Sequence, residues 1–404
     1  MTKKDRLKQL IQDLHAGQPE DVVKTQFQQE FGHVTSEEIS QMEQQLIKEG
    51  VTVQAIQKLC NVHASVFSGS ITDLHTLDRI DRQPGHPLFV FRKENQGLYQ
   101  LMEETVKPLL EQYQSEPSAA NKADLLASIR QLAKVDLHYS RKENLFFPYL
   151  EKKGITGPPQ VMWGKDDEVR DLLKEILQAE PDHDTLISKI SLALEEIDSM
   201  ILKENDILSP LLLKNIEPAE WVVIAQESPA IGYAFNGGIE GASPSDANHW
   251  LDQNSGKLPD NEPVVEQVEP SGYIKFPSGV IQYDDLLHML NTSPQDLTYI
   301  DKDDKVRYFS EGKHMVFDRT RTIIGRDVRM CHPPRAVPVV EQMLKDFKSG
   351  VKDHEVRIVT PGTKVLLVRY YAVRNDAGEY IGTLETTEEI SGIIDMVNEI
   401  RQNS

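Results

Sequence analysis

The triplet Lys-Glu-Asn occurs three times in this sequence, at Lys93-Glu94-Asn95, Lys142-Glu143-Asn144 and Lys203-Glu204-Asn205. Each glutamate sits among apolar residues at helical spacing. Glu94 has Phe91 before it and Leu98 and Leu101 after it. Glu143 is followed by Phe146, Phe147 and Leu150. Glu204 stands between Ile197, Met200 and Ile201 on one side and Ile207, Leu208 and Leu211 on the other. These spacings put all three carboxylates on the apolar stripe of their helix, the side that faces inward in a bundle. Asp166 shares a fourth stripe with Val169, Leu173 and Ile176. His86 precedes Glu94 by two turns, and His138 precedes Glu143 by about a turn and a half.

Carboxylates on converging stripes need compensation, because burying even a neutral polar group without a partner costs roughly 2–7 kcal/mol. The triplet lysines, each one residue before its glutamate, fall off the stripe on an ideal helix. Hard or borderline metal ions would balance the acids, and inward Glu and His on facing helices build metal sites in bundles. His86, Glu94, His138, Glu143, Asp166 and Glu204 are therefore the candidate metal ligands. The alternative is ion pairing with Arg92, Arg141 or Arg170, or side chains that reach back to water.

Four long helical patterns carry these residues, at about 87–114, 121–152, 160–179 and 183–213, and their short connectors predict an antiparallel bundle. Before them, residues 1–70 read as short helices, with stripes at Leu7, Leu10, Ile11 and Leu14 and at Ile39, Met42, Leu46 and Ile47. A further helix over Val53–Phe67 holds Cys60 and His63, which make at most half a metal site. After the bundle, residues 237–272 are rich in Gly, Ser, Pro, Asn and acids and read as a linker. The period then changes to that of strands. Leu297–Asp301 and Val306–Ser310 flank one hairpin signal, Val365–Arg374 and Glu379–Glu385 flank a second at Asn375–Gly378, and a helix fits Val337–Phe347 between them.

The chain has 404 residues, enough for two or three domains. With Lys plus Arg at 44 and Asp plus Glu at 64, the net charge is 44 − 64 = −20. That balance argues against nucleic acid and against an anionic membrane surface as partners. Two distant cysteines, Cys60 and Cys331, build neither a disulfide framework nor a four-thiolate cluster. The N-terminal stretch lacks the apolar core of a secretory signal, and no apolar run is long enough for a transmembrane helix. A soluble, cytoplasmic protein is expected.

Several of these stretches resemble known families. HYSRKENLFFPYLE (138–151) and VMWGKDDEVR (161–170) resemble the second and third helices of the hemerythrin-type HHE cation-binding family. GHPLFVFRKENQGL (85–98) and MILKENDILSPLL (200–212) resemble its first and fourth. VIQYDDLLHML, DLTYIDKDDKVRYFS, FDRTRTIIGRDVRMCHPP and VRYYAVRNDAGEYIGTLETTEEI, within 280–390, resemble a PAS domain. The whole order resembles a bacterial family of unassigned function in which a helical DUF438 domain precedes an HHE bundle and a PAS domain. The resemblance implies a multidomain protein with an all-α N-terminal part and an α+β end. Its expected parts are a small helical domain at 1–75, a four-helix bundle at 80–225, a linker at 226–275 and a PAS domain at 276–404.

The family pattern of His-xxx-Glu is altered here. Four residues after His138 comes Lys142, and the acid follows one later at Glu143, a step of about 140° on an ideal helix. Either the helix is distorted so that His138 and Glu143 both ligate, or one of the two stands behind the ligands and supports them. The histidine expected on the third helix is replaced by Asp166, and the one expected on the fourth falls near Ser199 or Met200. One iron, two metals held mostly by carboxylates, and an empty site are the outcomes this donor set allows. In the PAS region, His314, Cys331 and His332 are the weak candidates for holding haem or another small ligand.

The resemblance implies a metal-binding sensor or regulatory protein, with an iron-binding bundle responsive to oxygen, nitric oxide or redox state and coupled to a PAS domain. No phosphate loop, helix-turn-helix or nucleophile elbow indicates a catalytic or DNA-binding output. Output through a protein partner and a homodimer through the PAS domain are expected. The alternatives are a di-iron protein of iron–sulfur cluster repair under nitrosative stress and a metal-free signalling scaffold.

Overall fold

The computed structural model describes residues 3–15, 18–31, 42, 44–52, 55–56, 83–178, 182–257, 272–312, 315–317, 319–361 and 364–402. The chain divides into two compact units, Met1–Leu258 and Pro259–Ser404. The helix expected over Val53–Phe67, with Cys60 and His63, lies outside the described residues apart from Ala55 and Ile56.

The first unit opens with α1 (Lys3–His15) and α2 (Glu20–Phe31). Their apolar faces bury Leu7, Leu10, Val23, Phe27 and Phe31 together with Leu46 and Ile56, and Val161 of the bundle joins this cluster. Four rods follow. The first is α3 (Pro87–Leu101), a π turn Met102–Val106 and α4 (Lys107–Ser115). The second is α5 (Ala119–Leu132) and α6 (Val135–Arg141), a π turn Lys142–Phe146 and α7 (Phe147–Lys152). The third is α8 (Gly157–Gln178), and the fourth is α9 (His183–Lys203), a π turn Glu204–Leu208 and α10 (Ser209–Asn215). Their inward residues, from Leu88 and Phe91 through Phe147 and Ile197 to Leu212, form one continuous core.

The three π turns have a cause in the sequence. Each ends just before a residue followed by proline: Lys107-Pro108, Phe147-Pro148 and Ser209-Pro210. A proline inside a helix has no N–H to give and crowds the carbonyl four residues back. Widening the preceding turn relieves that crowding, and the residue before each proline donates instead to the carbonyl five back, at Met102, Lys142 and Glu204.

The segment expected as a linker over 226–275 departs from that expectation. Through Lys257 it folds onto the bundle, as the end of α11 (Pro218–Ile231), a turn and α12 (Pro244–Asn254). Trp221 and Trp250 enter the bundle core. The Ser, Pro and Gly content that resembles a linker is here the punctuation of a compact turn. Ser243 and Asp246 form a capping box at the start of α12, with Pro244 in its first turn. Residues 258–271 lie outside the described residues.

The second unit is α+β. A hairpin of β1 (Tyr273–Phe276) and β2 (Gly279–Gln282) leads into α13 (Tyr283–Thr292). A five-stranded antiparallel sheet then forms from β3 (Asp296–Asp301), β4 (Val306–Phe309), β5 (His354–Val359), β6 (Leu366–Arg374) and β7 (Tyr380–Glu389), in the order β4-β3-β7-β6-β5. Both expected hairpins are present, whereas β5 and the β1–β2 hairpin had no distinct sequence signal. On one face of the sheet, α14 (Val337–Ser349) buries Val340 and Leu344 against Ile300, Val306 and Phe309. α15 (Ser391–Gln402) ends the described chain. Among the described residues no helix is long and apolar enough to cross a membrane.

Because α12 is packed, limited proteolysis should leave an N-terminal fragment that keeps residues 244–254. Early cleavage between Pro218 and Asn254, read by mass spectrometry, would contradict this boundary.

Candidate functional site

Helices α3, α6, α8 and the α9 end of the fourth rod each bring charged groups into the bundle core. His138, on α6, is buried, and Phe91 stacks flat on its ring at 4.0 Å. Its Nδ1 lies 2.9 Å from Glu94 Oε2 and its Nε2 lies 2.9 Å from Glu204 Oε2. An imidazole donates from both nitrogens only when protonated. Burial alone would lower the His138 pKa, but Glu204 and Glu94 outweigh it and hold it above the ordinary value. The two flanking carboxylates therefore favour the imidazolium form of this buried ring.

Lys142 follows His138 by one α-helical turn, so it shares the inward face and is buried too. This corrects the expectation that it points away. Because the π turn begins at Lys142, the helix up to that residue keeps ordinary α geometry. Its Nζ reaches Glu204 Oε1 at 2.5 Å and Asp166 Oδ1 at 2.8 Å, and lies 4.3 Å from the centre of the Tyr139 ring. Burial pushes the Glu204 carboxyl up, yet Lys142 and His138 override it and leave the pKa at about 2. At Asp166 burial prevails, and the pKa stands well above the usual value. Asp166 Oδ2 and the Tyr139 hydroxyl are buried without a hydrogen-bond partner.

Glu94 closes the network at the other end. Arg141 pairs with its Oε2, and the backbone N–H of Ala234 donates to Oε1 at 2.9 Å. Glu143 stands apart. Arg170 grips it with two parallel bonds of 2.8 and 3.0 Å and also bonds Asp136 at 2.6 Å. Two of the three arginines named as alternative partners thus do pair with triplet glutamates. His86 caps α3, its Nδ1 accepting from the Leu88 N–H at 3.1 Å. Its ring packs against Trp221 and Trp250, and its Nε2 is buried without a partner. Burial lowers its pKa to about 3, so it is neutral.

The structure therefore gathers Glu94, His138, Asp166 and Glu204, and places Glu143 and His86 in other environments. No set of three or more His, Cys, Asp or Glu side chains among the described residues is arranged to hold a metal ion. Sequence reasoning missed Lys142, Tyr139 and the Ala234 N–H. A signal for Lys142 was present, since His138 and Lys142 stand four apart.

In the second unit, Cys331 and His332 are both half-buried and are held by the local turn. The Cys331 thiol lies 3.7 Å from the Asp327 carbonyl, and His332 Nδ1–H donates to the Val328 carbonyl at 2.7 Å. His314 lies outside the described residues.

Two stability measurements follow from the network. Glu204→Leu in metal-free protein leaves Lys142 with Asp166 alone of its two carboxylates and removes the partner of His138 Nε2, and chemical denaturation should show a loss of about 3–5 kcal/mol. A neutral or stabilising result would mean that Lys142 does not depend on this carboxylate. The second concerns pH. His86 is depressed from 6.5 to about 3 by burial, so the stability tied to its neutral form is lost as pH falls from 6.5 toward 3. Glu204, depressed from 4.5 to about 2, adds a further loss below 4.5. Thermal melts of His86→Asn, which keeps a capping acceptor, should lose the first part of this acid limb and keep the second. An unchanged acid limb would assign it to other groups.

Family models match three stretches of the chain. Residues 7–73 match DUF438, a family of unknown function, residues 86–212 match the hemerythrin HHE cation binding domain, and residues 286–391 match a PAS domain. Among solved structures, a C-terminal domain from Streptococcus mutans matches at 29% identity, over 31% of this chain and 96% of that one, with a TM-score of 0.30. No curated protein matches. The chain joins a DUF438 segment, a hemerythrin HHE cation binding domain and a PAS domain, a combination that suggests a metal-binding sensor.

Proposed function

We propose that this protein is a cytoplasmic sensor whose bundle core exchanges its buried protonated groups for one divalent cation, with iron the expected ion. The observation that carries this reading is the Lys142 ammonium, clamped at 2.8 and 2.5 Å between Asp166 and Glu204 beside the doubly bonded His138. Two carboxylates from different helices already surround a buried positive charge there. Removing the lysine charge and the imidazolium proton takes away two positive charges, and a divalent ion restores them. With Asp166 ionised on both sides of that exchange the core's net charge is unchanged, so the ion need not bring a new buried charge imbalance.

The donor set fits such an ion once Lys142 withdraws. His138, Asp166 and Glu204 would hold it, with Glu94 accepting the imidazole proton that remains on Nδ1. The unpartnered Asp166 Oδ2 supports this, since it is a buried acceptor in need of a partner. Bound iron would supply a centre able to bind oxygen or nitric oxide. The chain's own residues set the conditions for it. Phe91 fixes the His138 ring, the Arg170–Glu143 pair ties the second rod to the third, and the apolar core keeps water out. His86 and Glu143 act in this reading as positioning residues. The PAS domain supplies a second input or the dimer contact, with output through a protein partner.

The test is anaerobic loading of the whole chain with ferrous iron, manganese or zinc, followed by metal analysis and thermal melts. One ion per chain is expected, with a raised melting temperature. Lys142→Met, which removes the competing ammonium, should bind more tightly, and Glu204→Gln should bind poorly. Two ions per chain would favour the dinuclear alternative. Failure of both the parent and Lys142→Met to take up any of the three would sink the cation reading and leave a metal-free scaffold.

A further inference from the structure

We infer that residues 232–257 form a latch on the bundle whose hold is set by Glu94, so that the state of the charged core is read out by the strap leading toward the second unit. Glu94 belongs to two systems at once. Its Oε2 serves His138 and Arg141, and its Oε1 accepts the Ala234 N–H at 2.9 Å. Any change that turns this carboxylate toward the core weakens its bond to the strap. Loss of a buried charge-assisted hydrogen bond of this type is expected to matter, because the donor left behind has no water to replace it.

The strap is seated with little tolerance. Phe235 holds φ at 56°, a left-handed conformation that is uncommon for a bulky residue and persists only where the surroundings enforce it. The surroundings include Gly97 of α3, one turn from Glu94, where an added Cβ would overlap the Phe235 carbonyl oxygen. At Gly85 a Cβ would overlap the Asp246 carbonyl, and the Gly85 N–H donates to the Gly241 carbonyl at 2.7 Å. Both glycines therefore serve the strap's approach to the first rod. Release of the strained Phe235 would favour departure once the Glu94 bond is lost.

A row of rings also connects the core to the strap. Phe91 lies on His138, meets Phe146 edge-on at 5.0 Å, and Phe146 meets Trp221 at 6.0 Å. Trp221 packs on His86 at 4.7 Å, and His86 on Trp250 of α12 at 5.0 Å. Rings packed in this way pass a shift of the His138 side chain to α12 with few soft contacts between.

The latch does not require the cation, since it responds to any change at Glu94, and loading with metal is one way to produce one. Hydrogen exchange by mass spectrometry on the full chain tests it, following peptides of 232–257 and of α9. Gly97→Ala should speed exchange in the strap at least about tenfold and leave α9 protected. Lys142→Met, which touches the core and not the strap, should change strap exchange too, and so should ferrous iron in any protein that takes it up. Because coupling is reciprocal, Gly97→Ala should also shift the imidazole resonances of His138. A strap that exchanges at the parent rate in both Gly97→Ala and Lys142→Met would overturn the latch. So would a strap loosened by Gly97→Ala with the His138 resonances unmoved. If metal analysis shows no uptake while the two substitutions behave as described, the cation reading fails and the latch stands.

Discussion

The bundle depends on the neutralisation of acids that its helices carry inward. Glu94, Asp166 and Glu204 are fully buried, and an uncompensated charge at any of them would cost about 3–5 kcal/mol, a large part of a domain's net stability. The cations that answer them are buried as well, and all come from one helix: His138, Arg141 and Lys142. The second rod is therefore the cationic hub, and the first, third and fourth rods present carboxylates to it. Sliding any rod by a turn would strand a charge, so the network specifies the register of the bundle in a way that apolar packing does not.

Two of the π turns begin at the hub, at Lys142 and Glu204. A proline six residues after Lys142 and one six residues after Glu204 widen the helix just beyond the charged positions. Upstream of the widened turn, His138 and Lys142 stay one turn apart on one face. Glu143 points instead toward Arg170 on the third rod. Neighbours on a helix point about 100° apart, and that step divides Lys142 and Glu143 between two separate charge systems.

A similar solution recurs in the second unit. Asp296 and Glu385 are buried on adjacent strands β3 and β7, and Arg319 stands near both, at 3.5 and 2.7 Å. Each unit thus balances inward acids with a buried or nearly buried cation, in a chain whose overall charge is strongly negative. Where the acid is also tied to backbone, as Glu94 is to Ala234 and Asp296 is to Val316, the charge network fixes a loop as well as a core.

Much of the architecture was legible in the sequence. The apolar period of the four rods, their short connectors and the hairpin signals at 302–305 and 375–378 are local properties, encoded by which side of each element is greasy and where the chain can turn. The inward placement of Glu94, Asp166 and Glu204 followed from the same period. Other features were not local. Lys142 falls off the stripe when its side is measured from Glu143 and on it when measured from His138, four residues back. The Gly- and Ser-rich stretch after residue 237 reads as a linker because composition reports backbone freedom, not whether another helix offers a seat. That seat exists only because Gly85 and Gly97 lie far from it in sequence and beside it in space. The sequence by itself determined which faces are buried and which acids they carry. The tertiary structure decided which cation meets which acid, because pairing depends on distances between rods that no helical period contains.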